Sequence, residues 1–192
     1  MAVKIQSSDI KISSFTPLDI DELQSFCCGC KEMDDYIRLN LSVCDENRYI
    51  STYIVRHISS NEIIALFTLA NDALIIQSKE DKEDIIAENP IIAESSYVDF
   101  FLKQTSFPAI NITHLAVDEK WQSRGVGRII LDIIIGTYVK YRPSGCQFVT
   151  VDAINESRVT KFYTVDNGFT PLTNCDMYKT TRRLYLPLAV FK

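Results

Sequence analysis

Gln122-Ser123-Arg124-Gly125-Val126-Gly127-Arg128 follows directly on the apolar stretch His114-Leu115-Ala116-Val117-Asp118 and the turn-forming Glu119-Lys120-Trp121. Gly125 and Gly127 carry no Cβ, so backbone there can approach a ligand closely. An amphipathic pattern starts immediately after them. The first turn of such a helix offers N–H groups without intrahelical partners and the positive end of its dipole. Strand, glycine turn and helix N-terminus together make a device for holding a phosphate.

Two phosphate-binding patterns are excluded by spacing. A Walker loop needs Lys-Ser/Thr after its last glycine, and Arg128-Ile129 stands there. A dinucleotide fingerprint needs a third glycine where the chain has Ile130. The remaining pattern is Gln-x-x-Gly-x-Gly after a Leu-x-Val strand.

The elements that must position this loop follow from periodicity. Residues 10–15 read as a strand, 19–26 as a short helix, and Met33, Tyr36, Ile37 and Leu41 as a second helix. Residues 51–56 and 63–73 read as a hairpin. Residues 77–108 open with a solvated charge run, Gln77 to Asp84, and read as a surface insertion, with a short helix over 97–102. Residues 110–117 form the strand that enters the loop. The helix over 126–140 turns Val126, Ile129, Ile130, Ile133, Ile134 and Tyr138 to one face, and residues 146–152 make the next strand. Asn155 reads as the N-cap of a further helix that Asn167-Gly168 ends, and 178–186 as a last strand. Strand-helix-strand after residue 110 requires at least two parallel strands, and no linker divides the chain. The expectation is one α/β domain spanning residues 1–192, with its binding core at about 110–170.

Composition narrows the class. Hydrophobic residues make up 46% and charged residues 23%, as in an ordinary globular protein. No apolar run is long enough for a bilayer and no signal peptide is visible, so a cytoplasmic protein with no membrane partner is expected. Cys27-x-x-Cys30 lacks a second ligand pair, so no metal is expected and the six cysteines read as free thiols. The net charge is −5, yet residues 1–113 hold 9 Lys/Arg against 18 Asp/Glu, and residues 114–192 hold 11 against 7. The glycine loop lies in the basic part, which suits an anion.

Three pieces in order carry a resemblance: Leu115-Ala116-Val117-Asp118, the loop from Gln122 to Gly127, and Phe162-Tyr163-Thr164-Val165-Asp166-Asn167-Gly168-Phe169. Over residues 110–169 the chain resembles the GNAT family of N-acetyltransferases, with one extra residue between Tyr163 and Gly168. Phe26-Cys27-Cys28-Gly29, Met33-Asp34-Asp35-Tyr36-Ile37 and Val151-Asp152-Ala153 are similar to a subgroup that includes tRNA-acetylating toxins. The resemblance implies a mixed central sheet flanked by helices, with a splayed pair of parallel strands as the acetyl-CoA site. It implies main-chain contacts to acetyl-CoA from Leu115, Ala116 and Val117. The diphosphate falls to Gln122, Ser123, Arg124, Gly125, Val126, Gly127 and Arg128, with a further contact from Asn155. Tyr163 becomes the general acid for the leaving thiolate, a phenol that keeps its proton at neutral pH. His114, Asp99, Glu119 and Asp152 are weighed as a base, and none is assigned.

The activity implied is acetyl transfer to a primary amine within a ternary complex. The acceptor is a small molecule or a protein or peptide amine, and a homodimer is compatible. The alternatives are a toxin that acetylates aminoacyl-tRNA, which the net charge does not favour, and a non-catalytic acyl-CoA sensor.

Overall fold

β-branched and aromatic runs become strands wherever alternate positions can be buried. In the computed structural model, which describes residues 4–93 and 97–191, these are β1 (Ile10–Ser14), β2 (Ser51–His57), β3 (Ile63–Ile75), β4 (Ser106–Val117), β5 (Phe148–Ile154), β6 (Thr170–Pro171) and β7 (Thr181–Pro187). Their hydrogen-bonded order is β1-β2-β3-β4-β5-β7-β6. The helices among them are α1 (Ile20–Leu23), α2 (Lys31–Leu39), α3 (Leu41–Glu46), α4 (Lys79–Glu88), α5 (Pro90–Ala93), α6 (Val98–Lys103), α7 (Val126–Lys140) and α8 (Ser157–Thr164). The chain forms two compact units, one from residues up to Ala70 with Ile112–Ile134, the other from Asn71–Asn111 with the residues from Ile135 on.

In the first unit β2 and β3 form the expected antiparallel hairpin, with Ile54 opposite Leu66, and β1 lies antiparallel along β2. β4 runs antiparallel to β3, since the Asp118 N–H donates to Ile64 O at 2.9 Å and Thr113 meets Thr68. Leu23, Phe26, Ile37 and Leu41 pack from the helices onto Ile54 and Leu66. The helix expected over Met33 to Leu41 is two helices, because Asn40 leaves the helical region at φ −121°. Arg56 fastens α1 to the hairpin through Glu22 at 2.7 Å and Asp19 at 2.8 Å. Burial alone would raise the Asp19 carboxyl, but hydrogen bonds from Arg56 and Thr16 hold it below its ordinary value.

In the second unit β5 lies parallel to β4: Gln147 N–H donates to Pro108 O at 2.8 Å and Asn111 reaches Thr150 at 3.2 Å, both strands ascending together. β5 also pairs antiparallel with β7. The α/β class with a mixed sheet and a parallel pair is therefore what the chain adopts. β4 begins at Ser106, four residues before the expected Ile110, and β7 begins at Thr181, because Asn174–Tyr178 forms a 3-10 turn. The charge run Gln77 to Asp84 is exposed or half-buried except at Lys82, and the helices that continue from it add to the core. Ser78 caps α4, Lys82 is buried with its ammonium on Leu102 O at 3.1 Å, and Ile85 and Phe101 enter the core. Positions 82 and 85 lie on the buried side of α4, and its C-cap Asn89 is buried as well, a helical spacing that a lysine at 82 hides. Phe101, Phe107, Phe148 and Tyr185 continue that core in successive aromatic contacts, at 4.4, 6.0 and 5.8 Å. Among the described residues no helix is long and apolar enough to cross a membrane, and no group of three or more His, Cys, Asp or Glu could hold a metal ion.

Candidate active site

The end of β4 is unevenly covered. Ala116 is buried, Leu115 and Val117 are half-buried, and Thr113 is exposed. Asp118 closes the strand, its carboxylate accepting from the Lys120 N–H at 3.0 Å, and starts the turn Glu119–Trp121. Ser123 at φ +60° and Gly125 at φ +90° then adopt left-handed backbone before α7 begins at Val126. Such alternation of backbone hand gathers successive N–H groups into an anion-binding concavity. The N–H groups of Val126, Gly127 and Arg128 in the first turn have no partner within the helix. A Cβ at Gly125 would meet nothing within 4 Å, so the space beside it is open. The Arg124 guanidinium sits over Trp121 at 4.9 Å, and Arg128 is exposed.

The segment from Phe26 to Cys30 is a strut for this loop. Gln122, whose backbone is expected at the diphosphate, directs its side-chain amide to Cys28 O at 2.7 Å and Val117 O at 3.0 Å. The Glu119 N–H donates to Cys27 O at 2.9 Å, and Asp34 fixes the strut by accepting from the Cys28 N–H at 2.8 Å. The cysteines at 27, 28 and 30 are free, as expected. Burial pushes the Cys28 thiol up to about 12, helped by the neighbouring Asp34 carboxylate. Gly29 sits at φ +81°, and a Cβ there would lie 2.5 Å from Glu119 Oε1. That carboxylate can swing away, but the left-handed backbone costs any other residue about 1–2 kcal/mol. Gly29→Ala is therefore expected to lower the melting temperature by several degrees; an unchanged Tm would show that the strut tolerates a side chain.

His114 stacks on Tyr36 with ring centroids 3.9 Å apart, and its Nδ1 lies 3.0 Å from Thr68 Oγ1. Burial pushes its pKa down to about 4, so the folded state holds the ring neutral. The unfolded ring protonates near 6.5, hence stability is full above that pH and is lost as pH falls toward 4. The contribution is at most about 3 kcal/mol. Unfolding midpoints between pH 7.5 and 4.5 should fall more steeply for the wild type than for His114→Gln; parallel slopes would remove His114 from this role.

Tyr163 belongs to the second unit, on α8. Its side chain is 5% exposed, with the ring edge-on to Phe169 at 5.4 Å and Phe162 at 5.0 Å. Burial pushes its phenol well above the ordinary value. Gly168 at φ +73° turns the chain so that the Phe169 N–H returns to Tyr163 O at 3.0 Å. The extra residue before Gly168 is absorbed by a wide last turn, in which the Asp166 N–H reaches back to Lys161 O at 3.1 Å.

Asn155 departs from expectation. Glu156, not Asn155, occupies the N-cap position of α8. The Asn155 amide donates instead to the carbonyls of Asp176, Met177 and Lys179, at 3.3, 2.7 and 3.1 Å. Its side-chain donors are thereby occupied by a turn of its own unit.

One cluster had no signal in the sequence. Asp72 accepts from Thr150 Oγ1 at 2.5 Å and pairs with Arg183, which also holds Asp152 at 2.6 Å. It involves Asp152, weighed as a base, and pairs it with a guanidinium.

No family model matches the sequence, and no curated protein matches it. Solved structures do. A single-tyrosine-to-phenylalanine mutant of KacT superposes with a TM-score of 0.71 at 14% identity, covering 95% of this chain and 96% of that one. AtaTR bound with acetyl-CoA gives 0.67 at 18% identity, over 95% and 96%. AtaT complexed with acetyl-methionyl-tRNAfMet gives 0.67 at 19% identity, over 95% and 97%. Likeness at such identity is likeness of fold, and it spans nearly the full length of each chain. The fold is that of the AtaT and KacT structures.

Proposed function

We propose that this protein is an acetyl-CoA-dependent N-acetyltransferase whose acceptor is the amino group of an aminoacyl-tRNA. The observation that carries the reading is the left-handed turn from Ser123 to Gly125 at the head of α7. It supplies main-chain donors and a helix N-terminus for a diphosphate. The fold supports it, since neighbours of that fold are complexed with acetyl-CoA and with acetyl-methionyl-tRNAfMet.

In this reading the backbone of Leu115, Ala116 and Val117 takes the pantetheine arm. The N–H groups from Ser123 to Arg128 take the diphosphate, with Arg124 free to leave Trp121 for a phosphate oxygen. Gln122 acts through its brace to Cys28, and Asn155 as a holder of the 174–179 turn. The acceptor amine forms the new C–N bond and loses a proton to solvent. The C–S bond breaks, and the Tyr163 hydroxyl gives its proton to the departing thiolate.

The acidic total does not weigh against RNA as it did in the sequence. Its excess lies in residues 1–113, whereas residues 114–192 carry 11 Lys/Arg against 7 Asp/Glu. RNA binding answers to local charge rather than to the sum. The test is incubation of the purified protein with acetyl-CoA and total aminoacyl-tRNA, followed by ester hydrolysis and mass spectrometry. N-acetyl amino acids are expected. Thiol release with small amines and none with aminoacyl-tRNA would return the acceptor to a small molecule.

A further inference from the structure

The glycine loop is held at its entry, at its exit and in its middle, and the middle contact comes from the far start of the chain. Residues 122–125 form a turn. Its entry is fixed by the Gln122 amide on Cys28 O and Val117 O. Its exit is fixed by α7, where the Ile129 N–H donates to Gly125 O at 3.1 Å. Between them stands the Arg124 carbonyl, which accepts from the Ile5 N–H at 3.0 Å. Ile5 is delivered there by a short anchored segment. The Gln6 N–H donates to Asp9 Oδ2 at 2.8 Å, the Asp9 N–H returns to Gln6 O at 3.0 Å, and Asp9 O takes the Ile58 N–H at 2.8 Å just past the end of β2.

The geometry of a single peptide makes this bond consequential. The C=O of Arg124 and the N–H of Gly125 belong to one planar trans unit and point in opposite directions. With the oxygen turned to Ile5, the Gly125 N–H is turned away, and it donates to no group among the described residues. Gly125 is exposed, with open space where a Cβ would lie. The glycine does not enforce that orientation by itself. Its φ of +90° goes with one setting of the central peptide of a turn, and the opposite setting needs a φ of about −90°. Glycine accepts both about equally. The reversed peptide would aim a carbonyl oxygen at the place proposed for the diphosphate, exchanging a donor for a repelling dipole.

We infer that the Ile5 N–H is the positioning group of the glycine loop: it sets the Arg124–Gly125 peptide so that the Gly125 N–H faces the bound anion. That this anion is the diphosphate of acetyl-CoA rests on the reading above, whereas the setting of the peptide does not. Ile5 acts through the Arg124 carbonyl and is not itself a ligand contact.

The experiment uses the full-length protein as wild type, Ile5→Pro and Ile5→Ala. Proline removes the N–H, and alanine keeps it while shortening the side chain. Isothermal titration with acetyl-CoA should show Ile5→Pro weakened about five- to tenfold, the weight of one main-chain hydrogen bond, and Ile5→Ala within about twofold of the wild type. In amide NMR spectra of the free protein, the Gly125 resonance should move or broaden in Ile5→Pro and stay in place in Ile5→Ala. Melting curves establish that the variants are folded. Coupling between the bond and the ligand is reciprocal, so saturating the wild type with acetyl-CoA should slow hydrogen exchange at the Ile5 amide by about the same five- to tenfold. That measurement needs no variant and decides the question if Ile5→Pro does not fold. Undiminished affinity in Ile5→Pro, an equal loss in Ile5→Ala, or an Ile5 amide indifferent to acetyl-CoA overturns the positioning role. A wild type that binds no acetyl-CoA removes the coenzyme reading instead. The positioning role then stands if the Gly125 resonance responds to Ile5→Pro alone, and falls if it does not.

Discussion

Tyr163→Phe is expected to lower turnover by about 10²–10⁴-fold, the usual contribution of a positioned general acid, while acetyl-CoA affinity stays near that of the wild type. The substitution removes one oxygen and keeps the ring, whose edge contacts with Phe162 and Phe169 are unaltered in shape. With the ring 5% exposed and packed, the helix has no reason to move. Burial raises the phenol above its ordinary value, so its proton is present at every pH at which the protein is folded and active. A thiolate leaving into the same water-poor surroundings is also made more basic by them. The transfer therefore loses little driving force. Single-turnover thiol release at saturating acetyl-CoA reads the effect directly. Equal rates in the two proteins would remove Tyr163 from the mechanism. A parallel loss of cofactor affinity would instead assign the hydroxyl to binding.

Gly125→Glu addresses the other half of the proposal. Its backbone lies at φ +90°, and the direction a Cβ would take is open for 4 Å. The side chain therefore fits sterically, and the left-handed conformation costs about 1–2 kcal/mol. A carboxylate would then stand where the diphosphate is proposed to lie, at the start of a helix. Acetyl-CoA affinity is expected to fall by about 100-fold or more, since strain and like-charge repulsion add. Gly125→Ala separates the two causes, because it keeps the strain without the charge and should lose only about tenfold. Isothermal titration measures both. Trp121 is the single tryptophan and lies under Arg124, so its fluorescence should report occupancy independently. Affinity unchanged by the glutamate would show that the diphosphate binds elsewhere.

Much of the framework was legible in the residues because the signals are local. A hairpin over 51–73 follows from alternation, and the helix from Val126 to Lys140 follows from its period, to the residue at both ends. Glycine at 125 and at 168 marked two backbone reversals, and both are left-handed. Even so, the inward face of α7 was misjudged in detail. Leu131 is fully buried, whereas Ile129 and Ile133 are only half-buried, since what covers a helix is decided by its neighbours and not by its own pattern.

Functional side chains were less legible than the elements that bear them. Gln122 and Asn155 were read from their motif positions as ligand contacts, and nothing in the sequence signalled that their side-chain amides also hold protein carbonyls. Gln122 finds Cys28 across 94 positions of chain, and Asp72 finds Arg183 across 111. Hydrogen bonds between residues so far apart leave no periodic trace, because their geometry exists only after the strands have paired. What the sequence determined alone was therefore the set of strands and helices, the glycine turn at the head of α7 and the buried tyrosine's place on its helix. Each of these depends on backbone preference and hydrophobic spacing within a few residues. Which polar side chains brace the site and which remain free to meet a ligand was decided only by tertiary structure, because a donor's role depends on the acceptor that folding brings to it.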